Sequence, residues 1–338
     1  MRQELAFEFA RVTENAALAA CHHIGRGDKN EADNAAVQAM RTTLNQVGMR
    51  GEIVIGEGEI DQAPMLYIGE QVGNGYDDPI DIAVDPIDGT RMTASGQPNA
   101  LSVILAAPRG ALLKAPDMYM EKLATGAAAR GAFDLDRPLK ENLEAIARAL
   151  GKPLHELSLI TLDKPRHKEM IEELRQWGVR VHAIPDGDIC AALLTCLPGR
   201  NIDVMYGIGG APEGVIGAGV VSALGGDFQG RLVLRSQAKG HNAETAAHDQ
   251  QEQLRCREMG LEPNVRLTRE ELVLHNDTVF SATGITQGDI LAGVERQGRS
   301  LTTETVLIQG RTGTIRRIVT THNPDCEVAP LPTLKVRA

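Results

Sequence analysis

Aromatic residues are scarce in this sequence: Phe, Trp and Tyr make up 3% of its 338 residues. The core must therefore be built from Val, Ile, Leu, Ala and Met, which favours helices packed on buried strands over an aromatic-rich binding surface. A duplex binder needs a basic stripe that displaces counterions from phosphates. No such stripe occurs, and the net charge is −10. A nucleic acid is therefore not expected as a partner.

Long hydrophobic runs are also absent. No apolar stretch reaches the roughly 18 residues that a membrane-spanning helix needs. The apolar stripe at the N-terminus is broken by charges such as Glu4, Glu8 and Arg11, unlike a signal peptide. The five cysteines are odd in number and form no Cys-x-x-Cys pair. We expect a cytoplasmic protein without a membrane partner, whose cysteines are reduced thiols.

Local patterns predict the main elements. Helical spacing covers residues 3–24 and Asp33–Val47, and β-rich runs cover Glu52–Ile55 and Ile80–Val84. Strands and helices alternate over residues 157–224, which is typical of a parallel α/β layer. A polar loop or helix is predicted over 237–253, strands over 278–282, 303–309 and 314–320, and a loosely packed tail over 323–338.

The chain length predicts two domains, at roughly 150 residues per domain. The helical pattern of Glu141–Leu150 stops at Gly151-Lys152-Pro153, where a glycine and a proline interrupt it. We place the boundary there. This divides the chain into residues 1–150, an α+β domain, and residues 151–338, an α/β domain.

The strongest local motif is Asp85-Pro86-Ile87-Asp88-Gly89-Thr90, which directly follows the apolar run Ile80–Val84. A strand that ends in a carboxylate, a proline turn and a second carboxylate can aim both acids at one point. Hard cations such as Mg²⁺ bind oxygen ligands of this kind. The Thr90 hydroxyl could then orient a water molecule for attack.

Three further acids stand at the ends of predicted elements. Glu57 or Glu59 follows the strand that ends at Ile55, Asp33 begins a predicted helix, and Glu213 follows a glycine-rich turn. Each acid has an ordinary alternative role in a turn, a loop or a helix cap. The coincidence of several acidic strand and helix ends in one acidic protein favours a shared metal site.

The motifs carry a resemblance to a known family. The Asp85–Thr90 hexad with the upstream Gly56-Glu57 is similar to the signature of the lithium-sensitive, metal-dependent phosphatases, which include inositol monophosphatases and fructose bisphosphatases. Longer strings narrow this, among them Gly25-Arg-Gly-Asp-Lys-Asn, Ala115-Pro-Asp-Met-Tyr-Met-Glu-Lys and Tyr206-Gly-Ile-Gly-Gly-Ala-Pro-Glu-Gly. They resemble the bacterial class II fructose-1,6-bisphosphatases over residues 1–320. The resemblance implies the sugar-phosphatase fold, an αβαβα sandwich of alternating helix and sheet layers.

The resemblance also implies roles for individual residues. The implied metal ligands, for Mg²⁺ or Mn²⁺, are Asp33, Glu57, Asp85, Asp88 and Glu213. The implied catalytic residues are Asp33, Glu57 and Thr90. The implied substrate contacts are Asp88, Gly89, Thr90, Tyr119, Lys164, Pro165, Arg166, Asp186, Gly187, Asp188 and Gly210. Many class II members carry Glu at the position of Asp88, so the preference between Mg²⁺ and Mn²⁺ stays open.

The implied activity is metal-dependent hydrolysis of the 1-phosphate of fructose 1,6-bisphosphate, which yields fructose 6-phosphate and phosphate. The N-terminal domain would bind metal and the C-terminal domain the sugar bisphosphate, in a dimer or tetramer. Gluconeogenesis or a pentose phosphate cycle would both fit as its pathway. The alternatives are a sedoheptulose-1,7-bisphosphatase, a dual-specificity sugar bisphosphatase and an inositol-type monophosphatase. A non-catalytic sugar-phosphate-binding regulator is a further alternative, although binding alone would not require so many acids beside a polyanion.

Overall fold

The computed structural model describes residue 2 and residues 4–58, 65–75 and 79–323. The α-helices, numbered in chain order, are α1 Glu4–Cys21, α2 Lys29–Leu44, α3 Thr90–Ser95, α4 Leu139–Ala149, α5 Lys168–Gln176, α6 Asp188–Leu194, α7 Ala211–Ala223, α8 Arg235–Lys239, α9 Ala243–Glu258 and α10 Arg269–Leu272.

The strands form a larger and a smaller sheet. In chain order they are β1 Arg50–Ile55, β2 Gln71–Val72, β3 Pro79–Asp88, β4 Leu101–Pro108, β5 Tyr119–Thr125, β6 Ser158–Leu162, β7 Arg180–Ile184, β8 Val204–Gly210, β9 Asp227–Val233, β10 Arg266–Leu267, β11 Val279–Gly284, β12 Glu295–Gln297, β13 Ser300–Gln309 and β14 Thr314–His322.

The larger sheet has the strand order β12-β13-β11-β4-β3-β1-β2, and β14 pairs with β13. Strands β1 and β3 run parallel, whereas β4 is antiparallel to both β3 and β11. Because the carboxyl ends of parallel strands meet at one edge of a sheet, the acidic segments after β1 and at the end of β3 lie side by side.

The smaller sheet has the order β10-β9-β5-β8-β6-β7. Strand β6 is parallel to β7 and β8, as the alternating pattern predicts. The prediction covered only the alternating segment, and outside it the sheet is antiparallel: β5 is antiparallel to β8 and β9, and β10 is antiparallel to β9. Strand β5 comes from the chain before the alternating segment, so its pairing is a long-range contact.

Five layers follow from the buried clusters. Helices α1 and α2 pack on the outer face of the larger sheet through residues such as Phe9, Met40 and Ile82. Helices α6 and α7 lie between the two sheets, in a core that joins Leu105 of β4 to Phe228 of β9. Helices α4 and α5 cover the outer face of the smaller sheet. The α/β class and the αβαβα layering are therefore confirmed.

One helix start differs from its prediction, and the polar segment predicted as a loop or helix is helical. Helix α2 begins at Lys29 rather than Asp33, because the Asp28 carboxylate accepts the backbone N–H groups of Asn30 and Glu31 at 2.9 and 3.1 Å. Asp28 therefore occupies the capping position, and Asp33 lies one turn inside the helix. The polar segment 237–253 comprises the end of α8 and most of α9, which has its own Asn242 cap.

The predicted division at residue 150 stays a prediction. Strand β5, before that point, pairs in the smaller sheet, and strands β11–β14, far beyond it, pair in the larger sheet. Most of the predicted tail, residues 324–338, lies outside the described residues. Cys21, Cys190, Cys196 and Cys256, which lie within them, are free thiols.

Candidate functional site

The end of strand β3 carries two carboxylates. The register of β3 against β4 shifts between Asp85 and Asp88, an irregularity of the β-bulge type that re-aims side chains. The backbone N–H of Ile87 donates to Oδ1 of Asp85 at 3.1 Å, and the N–H of Cys190 donates to Oδ2 of Asp88 at 3.3 Å. Backbone donors therefore hold both acids at this edge of the larger sheet.

A tight turn follows the second acid and starts helix α3. Gly89 has a left-handed backbone with φ of 97°, and a Cβ there would overlap the Met92 side chain. The hydroxyl of Thr90, the first residue of α3, donates to the carbonyl oxygen of Ile87 at 3.2 Å. Its lone pairs remain available to accept a hydrogen bond from a water molecule.

Glu57 and Asp33 approach the same edge from two other elements. Glu57 follows strand β1, and its backbone N–H donates to the carbonyl of Leu66 at 3.0 Å. Asp33 projects from the second turn of α2. The alternative ligand Glu59 lies outside the described residues.

Glu213 reaches the cluster from the first turn of α7. A carboxylate is favoured there by the partial positive charge of a helix N-terminus. A Cβ on Gly210 would overlap the Glu213 carboxylate, so only glycine permits this approach. Oε2 of Glu213 is buried and has no hydrogen-bond partner within the described part of the chain.

A buried lysine lies beneath the acids. Nζ of Lys122, on strand β5, donates to Oδ2 of Asp188 and, at 2.8 Å, to the carbonyl of Gly210. The Lys122 side chain is 1% exposed and that of Asp188 is 6% exposed. Oδ1 of Asp188 is buried without a hydrogen-bond partner among residues that the structure describes.

Burial and mutual repulsion raise the pKa values of the acids. Burial is the larger cause at Asp85, whose pKa rises well above its ordinary value, and the charges of Asp88, Glu213, Glu57 and Asp33 add to it. The same causes, burial first, raise the pKa of Glu57 to about 8 and that of Asp88 to about 8.

The pKa values of the two remaining acids are shifted in the same direction, and a nearby cation opposes each shift. Burial raises the pKa of Asp33, and the charge of Lys29 opposes the rise. Burial also raises the pKa of Glu213, and Lys122 opposes it. The basic side chains therefore offset only part of the negative charge in this cluster.

The donor set fits hard divalent cations. Its side-chain donors are carboxylate oxygens, which Mg²⁺ and Mn²⁺ prefer. The orphan Oε2 of Glu213 and the raised pKa values indicate acids that lack counter-charge. As placed, no group of three or more His, Cys, Asp or Glu side chains in the described ranges could hold a metal ion.

Basic side chains surround Tyr119 at the other end of the site. The guanidinium carbon of Arg166 lies 5.1 Å from the centre of the Tyr119 ring, and Nζ of Lys239 lies 5.7 Å from it. Lys164 stands on the same turn as Arg166. Two cations beside this ring, with Lys164 on the same turn as one of them, provide the positive potential that a phosphate group needs.

Asp186 links this basic end to the larger sheet. It accepts from Nζ of Lys164 at 2.6 Å and from Nε and Nη2 of Arg91 at distances of 2.9 to 3.2 Å. Arg91 belongs to α3, which follows β3, whereas Asp186 follows β7. The ion pairs therefore join elements of the two sheets across the mouth of the site.

One cleft of about 700 Å³ contains this site. Every predicted site residue except Pro165 lines it: Asp33, Glu57, Asp85, Asp88, Gly89, Thr90, Tyr119, Lys164, Arg166, Asp186, Gly187, Asp188, Gly210 and Glu213. Pro165 is exposed and starts a short 3-10 turn. Its ring shapes the backbone between Lys164 and Arg166.

The sequence interpretation missed several charged residues. Lys29, Arg91, Asp117 and Lys239 line the cleft, and Lys122 lies beneath it. Lys29, Asp117 and Lys122 stand inside the motif strings that carry the family resemblance, so those strings held a usable signal. Nothing local distinguishes Arg91 or Lys239 from a solvated surface charge.

Within the described ranges, none of the helices is both long and apolar enough to cross a bilayer.

Comparison with known proteins shows the family. The model of the bacterial fructose-1,6-bisphosphatases, glpX-encoded, matches residues 3–322. The chain is 58% identical to fructose-1,6-bisphosphatase 1 class 2 of Escherichia coli strain K12, over 96% of this chain and 97% of that protein.

Two further proteins differ in how similar they are to this chain. The class 2 fructose-1,6-bisphosphatase of Haemophilus influenzae is 53% identical over 96% of this chain and 98% of that protein. Among solved structures, the Thermotoga maritima IMPase is only distantly similar, at 18% identity over 57% of this chain and 72% of that one, with a TM-score of 0.32. The family match spans both sheets and the cleft between them, and the chain belongs to the bacterial class 2 fructose-1,6-bisphosphatases.

Proposed function

We propose that this protein is a divalent-metal-dependent phosphatase that hydrolyses the 1-phosphate of fructose 1,6-bisphosphate to fructose 6-phosphate and phosphate. The observation that carries the proposal is the separation of acidic and basic side chains within the cleft. Carboxylates with raised pKa values, Asp85 foremost, line one part of it, and basic side chains around Tyr119 line another. A substrate with two phosphates fits this arrangement, provided that cations screen the acidic part.

The acidic part would hold the metal ions through Asp33, Glu57, Asp85, Asp88 and Glu213. When bound by these residues, divalent cations would lower the pKa of a water molecule and neutralise the charge of the reacting phosphoryl group. We assign proton acceptance from the attacking water to Asp33 or Glu57. The Thr90 hydroxyl, which donates to Ile87, can accept a hydrogen bond from that water and so orient it.

The basic part would bind the phosphate that is not hydrolysed. Lys164, Arg166 and Lys239 supply positive charge there. A substrate with a single phosphate group would leave these cations without a partner. Asp188 can accept a hydrogen bond from a sugar hydroxyl, because its Oδ2 takes Lys122 while its Oδ1 has no partner in the described part of the chain. Asp186 is tied to Lys164 and Arg91, and it would exchange one of those contacts for a sugar hydroxyl.

Phosphate release from a panel of esters tests the proposal. The metal-stripped protein would be assayed with fructose 1,6-bisphosphate, sedoheptulose 1,7-bisphosphate, fructose 6-phosphate and inositol 1-phosphate, each with Mg²⁺, with Mn²⁺ and with a chelator. We expect the highest kcat/KM on fructose 1,6-bisphosphate and no turnover with the chelator. A preference for sedoheptulose bisphosphate or inositol phosphate would reassign the substrate, and no release from any ester would indicate a binding protein.

Metal binding should stabilise the folded protein more strongly as the pH rises. The carboxyl groups of Glu57 and Asp88 titrate at about pH 4 when the chain is unfolded, whereas burial and neighbouring charges raise their folded pKa values to about 8. Raised folded values favour folding at low pH, and this contribution is lost as the pH rises from about 4 to about 8. Cations restore it, because they bind the deprotonated acids.

The measurement is the shift of Tm on adding Mg²⁺ or Mn²⁺, recorded at several pH values. The shift should increase from about pH 6 to about pH 8.5. The Glu57→Gln variant should show a weaker increase, which controls for titration elsewhere in the protein. A metal-induced shift that is the same at every pH would contradict the assignment of these acids as ligands.

The finer assignments stay predictions. These are the choice between Mg²⁺ and Mn²⁺, lithium sensitivity, a dimer or tetramer, a cytoplasmic location and a role in gluconeogenesis. The buried thiols Cys190 and Cys256 are compatible with the predicted reducing compartment.

A further inference from the structure

His167 is a buried histidine that the proposed reaction does not use. It stands at the end of the 3-10 turn Pro165–His167, which follows strand β6, and it is 3% exposed. Nδ1 lies 2.8 Å from the carbonyl oxygen of Leu162, and Nε2 lies 2.8 Å from the backbone nitrogen of Ile208. Both ring nitrogens are therefore engaged by backbone groups.

The two hydrogen-bond partners determine the protonation state and tautomer of the His167 ring. A carbonyl oxygen only accepts, so Nδ1 must carry the hydrogen, and a backbone N–H only donates, so Nε2 must accept. The ring is therefore the neutral Nδ1–H tautomer. A second proton would place N–H against N–H at Ile208 and would leave a buried charge.

The hydrogen bond between Ile208 and His167 lies beyond the point where strands β6 and β8 pair. Strand β6 pairs with β8 only through Leu159 with Val204 and Ile160 with Met205. Further along β8, the Ile208 N–H donates to Nε2 of His167, and the Ile208 carbonyl accepts from Nε of Arg166 at 2.8 Å. Side chains of the turn thus satisfy the backbone groups that β6 would otherwise pair.

The backbone beside the ring is shaped to admit it. A Cβ at Gly207 would lie 3.2 Å from Cε1 and 3.3 Å from Nε2 of His167, and 2.9 Å from Oγ1 of Thr161. Those distances are shorter than ordinary carbon contacts. Glycine at this position of β8 therefore leaves room for the imidazole.

We propose that neutral His167 is a positioning residue, which holds the turn bearing Lys164 and Arg166 against strand β8 so that both cations face the phosphate of the substrate. The inference rests on the proposed function. Nε of Arg166 donates to the Ile208 carbonyl, so the two terminal nitrogens of its guanidinium can bind a phosphate. The carboxylates of the acidic part of the cleft stand on other elements. A change at His167 should therefore affect KM more than kcat.

The charges around the ring bear on its titration. Burial lowers the pKa of His167, and the charges of Arg166 on its own turn and Lys122 on β5 act in the same direction. The hydrogen bond to the Leu162 carbonyl and the charge of Asp188 on α6 oppose them. Protonation at acidic pH would break the Ile208 contact and release the turn.

Three variants of this residue separate its two hydrogen bonds. His167→Leu keeps neither bond, His167→Asn can keep the donor to Leu162, and His167→Gln can keep an acceptor for Ile208. Loss of the Ile208 contact leaves a buried N–H unsatisfied, so we expect KM for fructose 1,6-bisphosphate to rise about 10-fold in the Leu variant. The value of kcat should stay within about 3-fold, and Gln should recover more of KM than Asn.

The controls keep this test separate from that of the activity itself. His182→Leu, at an exposed position on the neighbouring strand β7, should leave KM unchanged. At saturating metal, wild-type KM should rise more at acidic pH than the KM of the Gln variant. If wild type hydrolyses the bisphosphate and the Leu, Asn and Gln variants all keep its KM and pH profile, the inference is wrong. An inactive wild type would instead overturn the proposed function.

Discussion

Replacing Asp85 with Asn should lower kcat by about 10³-fold or more, because several kcal/mol of transition-state stabilisation depend on ligands that hold the cations. The same change should raise the stability of the metal-free protein. Burial and four neighbouring carboxylates raise the pKa of Asp85 well above its ordinary value, so folding without metal forces an unfavourable charge or the uptake of a proton. A neutral amide of the same shape removes that cost.

Opposite changes in activity and stability distinguish this prediction from a simple folding defect. Phosphate release and thermal unfolding in a chelator would be measured on the same preparation. Asp136→Asn is the matched control, because Asp136 pairs with Arg231 at 2.5 Å but is 57% exposed and lies outside the cleft lining. Near-normal turnover of the Asp85 variant would remove this residue from the site. A less stable metal-free variant would contradict the electrostatic account.

Replacing Lys122 with Met should lower the free energy of unfolding by about 3–5 kcal/mol, the range for breaking one side of a buried ion pair. Nζ of Lys122 is the cation that contacts Asp188 below the cleft, and it also donates to Gly210. Without it, the Asp188 carboxylate stays buried beside Asp88 and Glu213, whose charges repel it. Methionine fills much of the same volume, so packing contributes little to the loss.

Urea unfolding of wild type and three variants would test this assignment. Lys114→Met is the matched control, because Nζ of Lys114 pairs with Glu52 at 2.6 Å but the lysine side chain is 51% exposed. Its loss should cost at most about 1 kcal/mol. The double variant Lys122→Met, Asp188→Leu should recover much of the stability, since it removes both charges. Equal losses at Lys122 and Lys114 would show that burial does not set the value of the pair.

The acids of the site differ in how far local sequence predicts them. Asp85 and Asp88 follow an apolar run within one short motif, so their shared position at a strand end could be read directly. Asp33, Glu57 and Glu213 stand on three other elements, and the family resemblance, rather than spacing, groups them with that motif. Their convergence requires that β1 and β3 run parallel and that α7 starts at the same edge.

Long-range pairing explains the part of the smaller sheet that the sequence left unpredicted. The alternating pattern beyond residue 150 correctly predicts β6, β7 and β8, whose parallel pairing follows from helices that connect neighbouring strands. Strand β5 inserts between β8 and β9 from a distant part of the chain. No local pattern predicts that insertion, because burial of an apolar strand constrains its faces but not its neighbours.

The sequence by itself determined the α/β class, the carboxylate motif at the end of β3, the acidic balance that calls for cations, and the family. Only the tertiary structure decided that Lys122 neutralises Asp188, that Lys239 stands beside Tyr119, and that His167 completes the edge of β8. Periodicity records which face of an element is buried, since that depends on local geometry. The partner that a buried lysine or histidine finds depends on chain segments many residues away, and local patterning carries no record of it.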